Sequence, residues 1–214
     1  MKDNSIYVDQ DRYATSIVAN TWILPQLKAS KKFNKNTLPS DMILTKADTS
    51  TSDNQVEKLT REFNIHYRAC IALLIYLLST IVDLSFSVHK LAKLSANTGK
   101  VHIEGLVHLL RYIRDSKTLV LNYYADMNDA PVSYLLRQAS NKNENQFMAL
   151  SDYSQKDCPY TGISTVSYMI FNQCGKIDND THVSGPVDQS SAESEYNVAC
   201  TAGIDLAHFR MLIH

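Results

Sequence analysis

The feature that most constrains the fold is a change of period between residues 147 and 207. Phe147-Met-Ala-Leu-Ser-Asp-Tyr153 and Ser164-Thr-Val-Ser-Tyr-Met-Ile-Phe171 are short runs rich in apolar, β-branched and aromatic residues, which predicts two strands. Between them, Asp157-Cys-Pro-Tyr-Thr-Gly162 carries Pro159 and Gly162, which mark a turn. A third short strand is expected near Thr181–Val187. From Gln189 the period lengthens. Tyr196, Ala199, Cys200, Gly203, Leu206 and Ala207 recur at three- and four-residue steps, which predicts a helix with one apolar face. Ser190 or Ser191 is its expected N-cap. Glu193 and Glu195 stand in its first turn, where negative charge suits the partial positive charge of a helix N-terminus. Glu195 lies at the rim of the predicted apolar face.

The upstream half reads as helical. Ile6–Gln10 is a short strand-like piece and Tyr13–Ala19 a short helical pattern. Lys28, Lys31, Lys32 and Lys35, followed by the Thr/Ser/Asp-rich stretch Thr45–Asp53, read as a solvated linker. Asp53 is the expected cap of a helix beginning at Gln55. Tyr67–Thr80 predicts a buried helix, apolar nearly all round, and Asp83–Leu94 predicts another. In Val101–Asp115, Ile103, Val107, Leu110 and Ile113 share one face, with Arg111 and Arg114 off it. Thr118–Tyr124 is strand-like, and Asn141–Gln146 is a polar loop. Three parts follow: 1–53, 54–117 and 118–214.

Composition narrows the function classes. The net charge is −1 and the pI about 6.6. Dedicated nucleic-acid binders usually have a domain pI above roughly 9, so any grip on nucleic acid has to come from a local patch. Cys70, Cys158, Cys174 and Cys200 are scattered without a C-x-x-C pair, which argues against a zinc site and a disulfide framework and fits a reducing, intracellular setting. The apolar run Cys70–Leu78 is interrupted by Ser79, Thr80 and Asp83, well short of a bilayer span. No membrane partner is expected. The histidines lack metal-binding helix spacing, Ser190-Ser191 has no Gly-x-Ser-x-Gly context, and no phosphate-cradling Gly-x-x-x-x-Gly-Lys loop is present.

The wording of several stretches resembles copia-type retrotransposon polyproteins, from the end of the reverse transcriptase through the first half of the RNase H domain. Cys158-Pro159-Tyr160-Thr161-Gly162-Ile163-Ser164-Thr165 is similar to that family's Cys-Pro-x-Thr-x-x-Ser-Thr segment, and Ser190-Ser191-Ala192-Glu193-Ser194-Glu195-Tyr196 to its Ser-Ser-x-Glu-x-Glu-Tyr helix start. Upstream, Tyr67-Arg68, Leu74-Ile75-Tyr76-Leu77, Thr80-Ile81-Val82-Asp83 and Leu110-Arg111-Tyr112-Ile113 keep the family's register across residues 67–113. A Gln-x-x-Tyr phrase that closes the polymerase portion is matched by Gln10 and Tyr13.

The resemblance implies an α/β (α+β) fold, in which a helical connecting segment precedes a partial RNase H-like mixed sheet with one long helix. It implies metal-dependent hydrolysis of RNA in RNA–DNA hybrids. In-line phosphodiester cleavage is served by two Mg²⁺ ions about 4 Å apart, held by converging carboxylates. On the resemblance, Asp152 bridges the metals, Glu195 holds one and orients the water, and Lys90, Lys93, Arg111 and Arg114 follow the nucleic-acid backbone, as do Lys100 and Lys117. The family's third carboxylate follows the helix; here the sequence stops at His214. Around the site the pattern is worn. Asp152-Tyr-Ser-Gln-Lys-Asp157 replaces Asp-x-Asp-Trp-x-Gly, Ser164-Thr165-Val166-Ser167 replaces Ser-Thr-Ser-Gly, and Ile81-Val82 replaces Arg-Pro. The polymerase's paired aspartates have no counterpart, because Asp9 and Asp11 flank Gln10. Two readings stay open: a nuclease fragment, inactive as a truncated chain, and a non-catalytic relic or co-opted interaction protein. Either expects an RNA–DNA hybrid, or a protein that covers the open sheet (such as the rest of the polyprotein), as partner.

Overall fold

The structure, a computed structural model, describes residues 5–20, 35–39, 42, 44–45, 48–50, 52–116, 118–124, 147–154, 162–172, 175–185 and 190–213. The fold is mixed α/β. The strands are β1 (Ile6–Val8), β2 (Leu121–Tyr123), β3 (Phe147–Ser154), β4 (Thr165–Asn172) and β5 (Gly175–Val183). The helices are α1 (Asp11–Asn20), α2 (Asp53–Phe63), α3 (Tyr67–Leu77), α4 (Ser85–Ala92), α5 (Lys100–Ser116) and α6 (Ser191–Ile213), with a 3₁₀ turn at Val82–Leu84. The chain divides into two compact units, one of Asp9–Val120 and one of Met1–Val8 with Leu121–His214.

The helical unit packs around α5. Ile103, Leu106, Leu109, Leu110 and Ile113 are fully or almost fully buried, as the predicted face of this helix requires. Leu74 and Leu77 of α3 and Leu91 of α4 are buried completely. α3 is not apolar all round in its setting. Tyr67, Cys70, Ile71, Leu74 and Leu77 go inward, while Ile75 and Tyr76 are 53% and 63% exposed. A helix on the rim of a small bundle has only one face to bury. α2 begins at Asp53 itself, behind Ser52, so Asp53 is a first-turn residue rather than a cap. Asn64 ends this helix in the left-handed conformation, φ 51°, its N–H reaching the Thr60 carbonyl.

The expected linker is tied down where it is described. Thr45 donates from its N–H and hydroxyl to the Asp48 carboxylate, at 2.8 and 2.7 Å. Ser50 donates its hydroxyl to the Thr98 carbonyl at 2.6 Å and its N–H to Asn97 at 3.3 Å. Leu44 is buried. Polar composition was misleading here because Thr45 bonds within the stretch and Ser50 to the segment before α5, instead of to water. A Cβ on Gly99 would lie 1.6 Å from the Asp48 carbonyl oxygen, so only glycine permits that approach. Lys28, Lys31, Lys32, Lys117, Cys158, Pro159, Cys174 and the loop 141–146 lie outside the described residues.

In the other unit, β1 and β2 pair antiparallel, with Tyr7 opposite Asn122. β3, β4 and β5 form an antiparallel meander in that order. β3 pairs with β4 from Phe147↔Asn172 to Ser154↔Thr165. β5 starts six residues before the expected Thr181, since the polar run Lys176–His182 bears no strand-like apolar alternation. A register shift between Ile170 and Phe171 accommodates an extra residue in β5. α6 packs on β3 and β4, where Ala202, Leu206 and Phe209 meet Phe147, Ala149, Tyr168 and Ile170. The Ser190 hydroxyl caps α6 through the Glu193 N–H at 3.2 Å, as the sequence predicts.

The face of α6 that packs is not the expected one. Ser194, Val198 and Ala202 are buried, whereas Ala199, Cys200, Gly203 and Ala207 are exposed and Tyr196 is 72% exposed. Of the predicted face, only Leu206 turns to the sheet. α6 is apolar on two opposite sides, so periodicity alone could not choose between them.

Candidate nuclease site

Asp152 sits in β3, opposite Ser167 of β4, which is in turn opposite Thr181 of β5. The Ser167 and Thr181 hydroxyls are 3.0 Å apart. Successive residues of a strand point to opposite sides of the sheet. Phe147 and Ala149 face α6, so Ser151 and Tyr153 share their side. Met148, Leu150 and Asp152 project from the other. Asp152 is exposed there, beside the 42% exposed Leu150. Glu195 stands on α6, on the flank it shares with Ala202 and Leu206 at steps of seven and eleven residues, and is exposed. The two carboxylates that the resemblance pairs are therefore assigned to different faces of the sheet. This donor set does not fit a shared two-ion site. Among the described residues no group of three or more His, Cys, Asp or Glu side chains is arranged to hold a metal ion.

The sheet face under α6 does gather acidic groups, which sequence reasoning missed. Asp180 lies opposite Tyr168 and Asp178 opposite Ile170, so both share the side of those core residues. The Tyr168 hydroxyl donates to Asp205 of α6 in a short hydrogen bond. His182 Nδ1 lies 2.8 Å from Asp180 Oδ2, and its ring stands edge-on to Tyr168 at 6.4 Å. Burial, then the Asp205 bond and the nearby Asp180 and Asp178 charges, push the Tyr168 phenol well above its ordinary range. It acts as a neutral donor that ties sheet to helix. The available signal was the alternation Asp178-x-Asp180-x-His182, which puts three polar side chains on one side of a strand.

The basic residues proposed to follow nucleic acid are scattered in role. Arg114 forks onto its neighbour Asp115, with Nε–Oδ1 at 2.7 Å and Nη2–Oδ2 at 3.1 Å. Lys90 rests over the Phe86 ring at 5.6 Å. Lys93 follows the last turn of α4, and Arg111 is half-buried on α5. Lys100 begins α5 and is exposed.

The residues that carry the upstream resemblance do meet. Thr80 donates its hydroxyl to the Gln10 side-chain oxygen at 2.6 Å, and Gln10 Nε2 donates to the Tyr76 carbonyl at 3.4 Å. Tyr13 donates to the Leu73 carbonyl at 3.2 Å and stacks edge-on against Tyr76 at 4.9 Å. Tyr112 donates to Asp83 in a short bond, and burial with that carboxylate pushes its phenol up to about 12. Tyr67 donates to the Leu91 carbonyl and Arg68 to the Ser95 carbonyl, at 2.9 and 2.8 Å. Arg68 also lines a cavity of about 460 Å³ with Val56, Glu57, Thr60, His66 and Thr98.

His102 is completely buried on α5 and accepts the Gly99 N–H through Nδ1 at 2.9 Å. That acceptor role requires the neutral imidazole with its proton on Nε2. Burial holds its pKa below the usual value, against the opposing pull of Asp48. No helix among the described residues is long and apolar enough to cross a membrane. No protein-family model, no curated protein and no solved structure matches the chain.

Proposed function

We propose that the chain is a copia-type polyprotein segment that keeps a helical connection and the strand–strand–strand–helix order of an RNase H half-domain without cleaving RNA–DNA hybrids. One observation carries the ancestry. Six of the residues that bear the likeness across residues 10–113 contact one another: Gln10 with Thr80 and Tyr76, Tyr13 with Tyr76, and Asp83 with Tyr112. A chance likeness of letters has no reason to coincide with a hydrogen-bonded set. The placement of Asp152 on the face away from α6 supports the non-catalytic reading over the nuclease reading. Two divalent cations need several carboxylates turned to one point, and these two are turned apart.

The nuclease reading keeps one observation in its favour, the presence of Asp152 on a strand and Glu195 on the helix that follows the meander. Incubation of the chain with a labelled RNA–DNA hybrid and Mg²⁺ or Mn²⁺ separates the two. The expected result is no cleavage above that of Asp152→Asn. Metal-dependent cleavage abolished by Asp152→Asn would overturn the proposal and restore Asp152 as a metal ligand.

A further inference from the structure

The side of α6 that faces away from the sheet is an apolar stripe. Tyr196, Cys200, Gly203, Ile204, Ala207 and Met211 recur along it at steps of three and four, and Tyr196, Ile204 and Met211 are 72%, 70% and 71% exposed. A helix buried on one face usually carries polar residues on the other. Gly203 adds a second anomaly. It lies in mid-helix, where glycine costs about 1 kcal/mol relative to alanine, and nothing lies within 4 Å of the position its Cβ would take. Nothing within the described chain accounts for the missing side chain.

We propose that this stripe is the contact face of a homodimer, in which α6 pairs antiparallel with α6 of a second copy about a two-fold axis level with Thr201 and Ala202. The occupant follows from the pattern itself. In that register the large Tyr196 faces the small Ala207 and Cys200 packs over Gly203, large against small on both sides of the axis, with Ile204 on the flank of the seam beside Cys200. The charges also match. Glu193 heads the stripe and Arg210 closes it, both exposed, and the same register sets Glu193 of each copy against Arg210 of the other. Parallel pairing would oppose Glu193 to Glu193 and Arg210 to Arg210. An isologous contact uses one patch twice, so the patch has to be complementary to itself reversed, and this one is. Antiparallel alignment also sets opposite helix dipoles side by side. The absent Cβ at Gly203 then lets the two helices approach closely near the axis.

The inference is independent of the nuclease ancestry and is tested without any substrate. Sedimentation of the full chain over a concentration series is expected to show a monomer–dimer equilibrium. Ile204→Glu is expected to weaken it by roughly tenfold or more, since a charge enters the apolar flank of the seam near the axis. Arg210→Glu is expected to weaken it by about threefold, as a rim ion pair does, and Glu193→Arg combined with Arg210→Glu is expected to restore it. The helical circular-dichroism signal should stay unchanged in each, because all these positions are solvent-facing in the single chain. In a Cys200→Ser background, the double variant Tyr196→Cys/Ala207→Cys is expected to give a covalent dimer on oxidation, and neither single variant is. A monomer at every concentration, or a dimer indifferent to Ile204→Glu, overturns the proposal. A dimer that the double cysteine variant does not trap overturns its antiparallel register.

Discussion

The helical unit and the sheet unit spend their apolar residues differently. Among the described residues, the large side chains that are fully buried are Ile65, Leu74, Leu77, Leu84, Leu91, Ile103, Leu106, Leu109, Leu110 and Ile113 in Asp9–Val120, and Ile170 in the sheet unit. The sheet unit instead leaves Leu150, Met169 and Ile177 exposed on the sheet and Tyr196, Ile204 and Met211 exposed on α6. Its core is a thin layer, Tyr168, Ile170 and Ala202, fringed by half-buried residues. The difference is geometric. α1 and α4 pack against α5 in the helical unit, while among the described residues α6 covers one face of the three-stranded sheet and its own opposite side stays exposed. The helical unit holds the thicker core, although Ile75, Tyr76 and Phe86 stay at its surface. The described residues of the sheet unit leave apolar surface on both the sheet and α6.

Core truncations give the largest effect and test that contrast directly. Leu110→Ala is expected to lower the stability of the helical unit by about 4 kcal/mol, because so fully buried a site has little room to collapse into the gap. Ile170→Ala should cost about 3 kcal/mol or less in the sheet unit, where half-buried neighbours can relax toward the space. Chemical unfolding followed separately by near-ultraviolet and far-ultraviolet signals measures both. Equal costs would erase the distinction.

The next effect is a pH dependence assigned to the helical unit. His102 has a folded-state pKa below its unfolded value, so the unfolded chain binds the extra proton first. Stability is fully present above the unfolded pKa of about 6.5 and is lost as the pH falls below it toward the folded value. Protonation also removes the acceptor that holds the Gly99 N–H. Denaturation midpoints are expected to drop on going from neutral to mildly acidic buffer, and His102→Asn, which can keep an acceptor there but cannot titrate, should flatten the slope. A slope that survives in that variant would assign it to other groups.

The smallest effect has the opposite sign. Gly203→Ala fills open space on a helix, so it is expected to stabilise the single chain by up to about 1 kcal/mol. The same change should weaken self-association. Stabilisation without loss of association would show that the stripe does not need close approach at that point.

Much of the architecture was legible. The strands at 147–154 and 165–172, the serine-capped helix after them and the buried face of α5 follow from period and capping chemistry, because each depends on neighbours within a few residues. β5 was misplaced because Lys176–His182 is polar and is recruited into the sheet by the backbone of β4. The stretch 45–50 was misread because its hydroxyls and carboxylate satisfy partners up to 48 residues away as well as local ones. The candidate site was half legible. Asp152 on a strand and Glu195 on a helix were readable, but which side of the strand the helix would cover was not.

What the sequence determined by itself was the succession of elements and the acidic residues they carry, since helix and strand periods are local properties. What only the tertiary structure decided was facing. α6 carries Val198, Ala202, Leu206 and Phe209 on one side and Tyr196, Ile204 and Met211 on the other, two apolar faces of comparable appeal. The sheet selects the first, because there Asp205 can accept the Tyr168 hydroxyl while Ala202 lets the helix sit close to Ile170. That selection turns Asp152 away from the helix and leaves the second apolar stripe exposed.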